Sequence, residues 1–172
     1  MLLRLKMSNV NIDKPILSVI TVVRNCVDVI EDTILSVINQ SYSNIEYVII
    51  DGNSSDGTKD IINKYKSKID LYISENDKGI YDAMNKGISN VNGKYVNFMN
   101  AGDVFFNNNI CQLFADYIQK KQFDVYYGDV IARNNINNSE MLVKAKNINK
   151  IYSGMIFCHQ STFIKLSNLK ET

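Results

Sequence analysis

The chain has 172 residues, 45% hydrophobic and 22% charged, which suits one α/β domain with its own core and not a disordered segment. Nineteen basic and eighteen acidic side chains leave a net charge of +1, so no basic face for nucleic acid is expected. Cys26, Cys111 and Cys158 are too scattered for a disulfide framework or a metal cluster, and no apolar run nears the roughly 20 residues that span a bilayer. A cytoplasmic protein is expected, with residues 1–15 a short leader and 16–172 one domain.

After Pro15, "ILSVITVV" is an apolar, β-branched run suited to a strand buried on both faces. In "NCVDVIEDTILSVINQS", Asp28 and Glu31 have capping-box spacing, and Ile30, Ile34, Val37 and Ile38 form a helical stripe. "IEYVII" predicts the second strand. Asp56 or Thr58 then opens a helix through Ile61, Ile62 and Tyr65, with Lys59, Lys64, Lys66 and Lys68 on a solvated face. "IDLYIS" predicts a third strand, and "GIYDAMNKGIS" a short helix whose end is marked by glycine. "KYVNFMN" is a fourth strand, "AGDVFFNNN" a loop, "ICQLFADYIQKK" a helix and "FDVYYGDVIA" a further strand. Strand and helix alternate with short connections, the signature of βαβ units on a mostly parallel sheet with helices on both faces.

Open parallel sheets bind ligands beyond the carboxyl ends of their strands. The residues there are Arg24 and Asn25, then Asp51 with "GNSSDG", then Asp77 and Lys78, then Asn100 to Asp103, and Asp129 near the end of the fifth strand. Carboxylates with cationic company on one edge suit a metal ion plus an anionic ligand. Each residue also has a plainer reading. Asp51 could begin a turn, Asp56 and Asp103 could cap helices, and Arg24 could be a solvated charge. His159, the one histidine, lies between apolar residues, where a hydrogen-bonded structural role competes with ligand contact.

Taken in order, these segments resemble the inverting, family 2 nucleotide-sugar glycosyltransferases with the GT-A fold. "LSVITVVRN" is similar to the opening strand of their nucleotide pocket. "TILSVINQSYSNIEYVIIDGNSSDGT" resembles the helix, strand and loop that grip base and ribose. "ENDKGIYDAMNKGISNVNGKYVNFMNAGDVF" is similar to the next helix, strand and metal-binding turn. "YYGDV" and "CHQSTF" resemble later segments of the branch that builds bacterial surface polysaccharides. The resemblance implies donor contacts at Thr21, Val23, Arg24, Asn25, Asp51, Asn53, Ser54, Asp77, Lys78, Asn100, Ala101 and Gly102. It also implies a divalent cation, Mn2+ or Mg2+, on Asp103, and sugar or acceptor contacts from His159 and Gln160. The donor is expected to be a UDP-sugar, and the acceptor a glycan or lipid-linked glycan met at the inner face of the membrane.

Two positions depart from the family's pattern: Gly52 replaces the second of two adjacent aspartates, and Gly102 precedes Asp103 where an Asp-Asp pair is usual. The family places its catalytic base on a segment after the one resembling "CHQSTF". The base is therefore expected beyond Thr172, with Glu171 too near the terminus to serve. A donor-binding fragment without transfer activity remains an alternative reading. A dinucleotide-dependent oxidoreductase would need a G-x-G-x-x-G turn after the first strand, and "VVRNCVDVIED" holds no glycine. A phosphoacceptor signalling domain would want a lysine after its last strand.

Overall fold

The computed structural model describes residues 15–134, 137, 139–149 and 156–170. Most of the expected leader, and Glu171, lie outside them. The chain alternates from β1 (Leu17–Val23), α1 (Ile30–Ile38), β2 (Ile45–Asp51) and α2 (Thr58–Lys64) to β3 (Leu71–Ser74) and α3 (Ile80–Asn90). It continues with β4 (Tyr95–Phe98), α4 (Ile110–Lys120), β5 (Val125–Tyr127), β6 (Val130–Asn134), β7 (Ser139–Val143), β8 (Thr162–Lys165) and α5 (Leu166–Lys170). Six strands form one sheet in the order β3-β2-β1-β4-β8-β5; β6 and β7 pair by themselves. β3, β2, β1 and β4 are parallel, and β8 runs antiparallel to both of its neighbours, β4 and β5. The expected mostly parallel sheet is present, with one reversed strand inserted.

Every residue of β1 is buried, which is why its sequence reads as an unbroken apolar run. Leu17, Val19 and Val23 pack with Ile30, Ile34 and Val37 of α1, Ile62 of α2 and Phe114 of α4. Ile20 and Val22 point the other way, into a second core with Ala83 of α3 and Leu166 of α5. Each such aliphatic side chain contributes about 2 kcal/mol on burial. The two cores clamp β1 from both sides, and a rigid β1 fixes where the loops at its carboxyl end begin.

Three local expectations are corrected. Asp28 does not cap α1: Val29 is the N-cap, no side chain bonds there, and the Val29 and Ile30 amides donate to the Cys26 carbonyl instead. Gly87 does not end α3, which runs on to Asn90; a Cβ at Gly87 would lie 2.6 Å from Ile20 Cγ2, so the glycine lets helix and sheet approach. "FDVYYGDVIA" is two strands in two sheets. The Gly128 amide turns back to the Ser161 carbonyl, and Asp129 Oδ1 accepts the Ala145 amide to close the base of the β6–β7 hairpin. On the solvated face of α2, the Lys59 ammonium donates to the exposed Asn53 Oδ1 at 2.6 Å.

β8 completes the sheet through aromatic packing. Phe163 stacks on Phe114 with centroids 4.2 Å apart, and Tyr95 and Tyr126 meet Phe114 edge-on. This cluster places the segment before β8, with His159 and Gln160, beside the end of β4.

Candidate donor site

The loops after β1 and β2 are stitched together by short polar side chains. The Asn25 amide donates to Ser54 Oγ at 2.8 Å, and Asn25 Oδ1 accepts the Ser55 amide at 2.9 Å. The Cys26 amide donates to Thr58 Oγ1, and the Val27 amide to Asp56 Oδ2. Asn25 and Asn53 hold left-handed backbone with φ of 51° and 58°, a conformation asparagine tolerates better than most residues. Asp56 also accepts from the amide and hydroxyl of Thr58, and the hydroxyl bond leads in holding its carboxyl below the usual range. It ties the two loops together and is not the helix cap its plainer reading made it, since Gly57 is the N-cap of α2.

Asp51 ends β2 opposite Val23 and is fully buried. Its carboxylate accepts bonds from the Ser54 amide and hydroxyl, from Ser74 Oγ at 2.6 Å and from Tyr72 at 3.4 Å. All of these donors come from the chain itself. The residue shapes the turn from within.

The concavity lies next to it, at the carboxyl edge of β1. A cleft of about 280 Å³ is lined by Val22, Val23 and Arg24 from β1 and its loop, Cys26, Asp77 and Gly79, Ile80 and Ala83 of α3, and Asn100 and Ala101. The exposed Arg24 guanidinium has no protein partner among the described residues. Gly52 lies against two of these wall residues, Asp77 and Arg24. A Cβ there would lie 2.3 Å from Asp77 Oδ2 and 3.2 Å from Arg24 Cδ, so the carboxylate of Asp77 fills the space a side chain at 52 would need.

Across β1, β4 runs into the turn Asn100–Asp103, closed by the Asp103 amide donating to the Asn100 carbonyl at 2.9 Å. Gly102 takes φ of 96° there and donates its amide to Thr33 Oγ1 of α1. Burial pushes the Asp103 carboxyl above the usual carboxylate range, with Gln160 and His159 pulling less strongly the other way. His159 Nε2 lies 2.9 Å from Asn100 Nδ2, while Asn100 Oδ1 is buried with no partner among the described residues. Because β2 and β4 flank β1, Asp51 and Asp103 sit on the same edge of the sheet.

Of the residues singled out from sequence, Val23, Arg24, Asp77, Asn100 and Ala101 line this one cleft. Gly102 and Asp103 continue its turn; Asn25, Asn53 and Ser54 build the adjoining loops. Several are not brought there, Asp51 first among them, because it is buried with its carboxylate taken up by its own loop and by Ser74. Thr21 is buried in the sheet with its hydroxyl against that of Tyr47, Lys78 is exposed and contributes no cleft lining, and Asp129 serves the hairpin. Sequence reasoning missed Val22, Cys26, Gly79, Ile80 and Ala83 as wall residues. The signal available was the position of Ile80 and Ala83 in the first turn of a helix that opens at the cleft.

The sequence profile of glycosyl transferase family 2 matches residues 18–167. The chain belongs to this family. It is 43% identical over 95 residues to TuaG of Bacillus subtilis, named for teichuronic acid biosynthesis, covering 52% of this chain and 37% of that protein. It is 38% identical over 89 residues to the Escherichia coli UDP-Glc:alpha-D-GlcNAc-diphosphoundecaprenol beta-1,3-glucosyltransferase WfaP, covering 51% of this chain and 36% of that protein. The crystal structure of S. aureus TarS in complex with UDP-GlcNAc superposes with a TM-score of 0.74 at 21% identity, over 90% of this chain and 46% of that one. The likeness to TarS bears out the expected GT-A fold. The chain spans between 31% and 59% of the length of the curated relatives it matches.

A divalent cation, as family 2 membership implies, can be tested against the donor atoms present. Mg2+ and Mn2+ need hard oxygens. The turn after β4 offers the Asp103 carboxylate, which burial has left short of compensation, and the unpartnered Asn100 Oδ1. Among the described residues no three His, Cys, Asp or Glu side chains form a metal-binding group. These atoms fit a cation shared with ligand oxygens and water, and do not fit a closed, all-protein site.

Proposed function

We propose that this chain binds a nucleoside-diphosphate sugar, with UDP as the nucleotide, and belongs to an enzyme that transfers the sugar with inversion to a glycan hydroxyl in polysaccharide biosynthesis. One observation carries the reading: Arg24, unpaired among the described residues, Asp77 and the start of the Asn100–Asp103 turn line one cleft at the carboxyl edge of β1. That combination suits a ligand with a hydrogen-bonding nucleoside at one end and an anionic diphosphate at the other. UDP donors appear with two of the similar proteins, WfaP by name and TarS in its complex, which supports the nucleotide assignment.

In this reading Arg24 clamps diphosphate oxygens with its planar, bidentate donors, and Lys78 adds a nearby charge. Asp77 accepts an N–H or hydroxyl from the nucleoside. Asp51, Asn25, Asn53 and Ser54 fix the loops so that the bound nucleotide meets backbone already in place. Asp103 and Asn100 Oδ1 would hold the cation, which supplies charge stabilisation to the departing diphosphate. His159 and Gln160 keep the turn in register and stand at its acceptor side. The proton of the attacking hydroxyl passes to a base that is assigned to none of the described residues. The acceptor is a glycan or lipid-linked glycan reached by peripheral contact with a membrane; no described helix is long and apolar enough to cross one.

Calorimetry with UDP, with and without Mn2+, tests this. Binding that strengthens with Mn2+ is expected. A folded sample that binds in neither condition overturns the reading.

A further inference from the structure

The loop that carries Asp77 into the cleft, residues 75–79, is held from behind by a side chain that is not part of the cleft wall. Lys86 lies on the second turn of α3, three-quarters buried. Its ammonium donates to the Asn76 carbonyl at 2.8 Å and lies 2.9 Å from Glu75 Oε1 and 3.3 Å from Asp82 Oδ2. An ammonium has three N–H donors, and here three acceptors take them. Asp82 Oδ2 in turn accepts the Lys78 amide at 3.1 Å. The ties therefore reach Glu75, Asn76 and Lys78 and bracket Asp77, which instead lines the cleft and accepts the Gly79 amide on Oδ1.

We propose that Lys86 is a positioning residue for the donor nucleotide: it pins loop 75–79 onto α3 so that Asp77 is presented to the cleft. Without the ammonium, Glu75 and Asp82 become neighbouring carboxylates with no cation between them, and the Asn76 carbonyl loses its donor. Repulsion then pushes the loop off α3 and carries Asp77 away from Gly52 and Arg24. The role rests on the nucleotide-sugar reading and deepens it, because Lys86 reaches the ligand only through Asp77.

The experiment compares wild type, Lys86→Met and Lys86→Arg. Met keeps the aliphatic stem and loses the donors; Arg keeps a charge between the two carboxylates. The UDP dissociation constant should rise about tenfold in Lys86→Met and return to within about threefold of wild type in Lys86→Arg. Amide exchange read on the unliganded proteins should accelerate at Lys78 and Gly79 in Lys86→Met and stay unchanged in β1. That local pattern separates loop positioning from general destabilisation. UDP affinity in Lys86→Met within threefold of wild type overturns the role of Lys86 alone. So does acceleration that spreads into β1. Failure of wild type to bind UDP overturns the donor reading itself, and this role with it.

Discussion

The turns that begin at the ends of β2 and β4 look alike in sequence, each pairing an aspartate with a glycine among small polar neighbours, yet they are physically opposite. Asp51 is fully buried, and every hydrogen bond it accepts comes from its own chain. Asp103 is half-exposed, its carboxyl raised by desolvation, beside an amide oxygen that has no partner among the described residues. A saturated carboxylate determines shape. An under-compensated one favours any ligand that brings positive charge.

Removing each in turn should separate these roles. Asp51→Ala strands the buried Ser54 amide and hydroxyl and removes the acceptor shared by Ser74 and Tyr72, and a loss of about 3 kcal/mol in urea unfolding is expected. A loss under about 1 kcal/mol would show that the β2 turn is not saturated from within. Asp103→Ala should change stability by less than about 1 kcal/mol but abolish the Mn2+ enhancement of UDP binding, an effect of about tenfold by calorimetry. Enhancement that persists removes Asp103 from the ionic end.

The same carboxyl gives a pH signature. Its folded pKa lies above the unfolded value near 3.8, so the folded state holds the proton more tightly. Stability from this group is therefore lost as pH rises from about 3.8 through the folded pKa, and is level above it. Asp103→Asn should lack that decline, and Mn2+ should offset it in the wild type. Equal pH profiles for the two proteins would contradict the desolvation account.

Smaller effects sharpen the picture of the cleft. Gly52→Ala puts a methyl where Asp77 Oδ2 now sits, and UDP affinity should fall several-fold with little change in melting temperature. Unchanged affinity would mean that Asp77 does not face the nucleotide. Thiol labelling at pH 8 should reach Cys26 and Cys158, which are partly exposed, and spare Cys111, whose burial pushes its thiol up to about 12. UDP should protect Cys26, a wall residue, and leave Cys158 reactive.

Much of the fold could be read from periodicity because burial on the central strands is two-sided. "ILSVITVV" and "IEYVII" could hardly be anything but inner strands, and the stripe Ile30, Ile34, Val37 named the inner face of α1. Reading failed where a local signal lost to a tertiary one. The Asp28 cap lost to the Cys26 carbonyl, and Gly87 marks close packing on Ile20 instead of a helix end. The reversed strand β8 left no local signature, because its neighbours are chosen by the Phe114–Phe163 stack, more than 40 residues apart in the chain.

By itself the sequence determined the alternation of strands and helices, and so which residues stand at strand ends, because hydrophobic period and turn chemistry are local properties. Only the tertiary structure decided which of those residues line the cleft. Asp51 turned inward, Asp77 took the space left by Gly52, and Asn100 met His159, since burial and hydrogen-bond satisfaction depend on segments far apart in the chain.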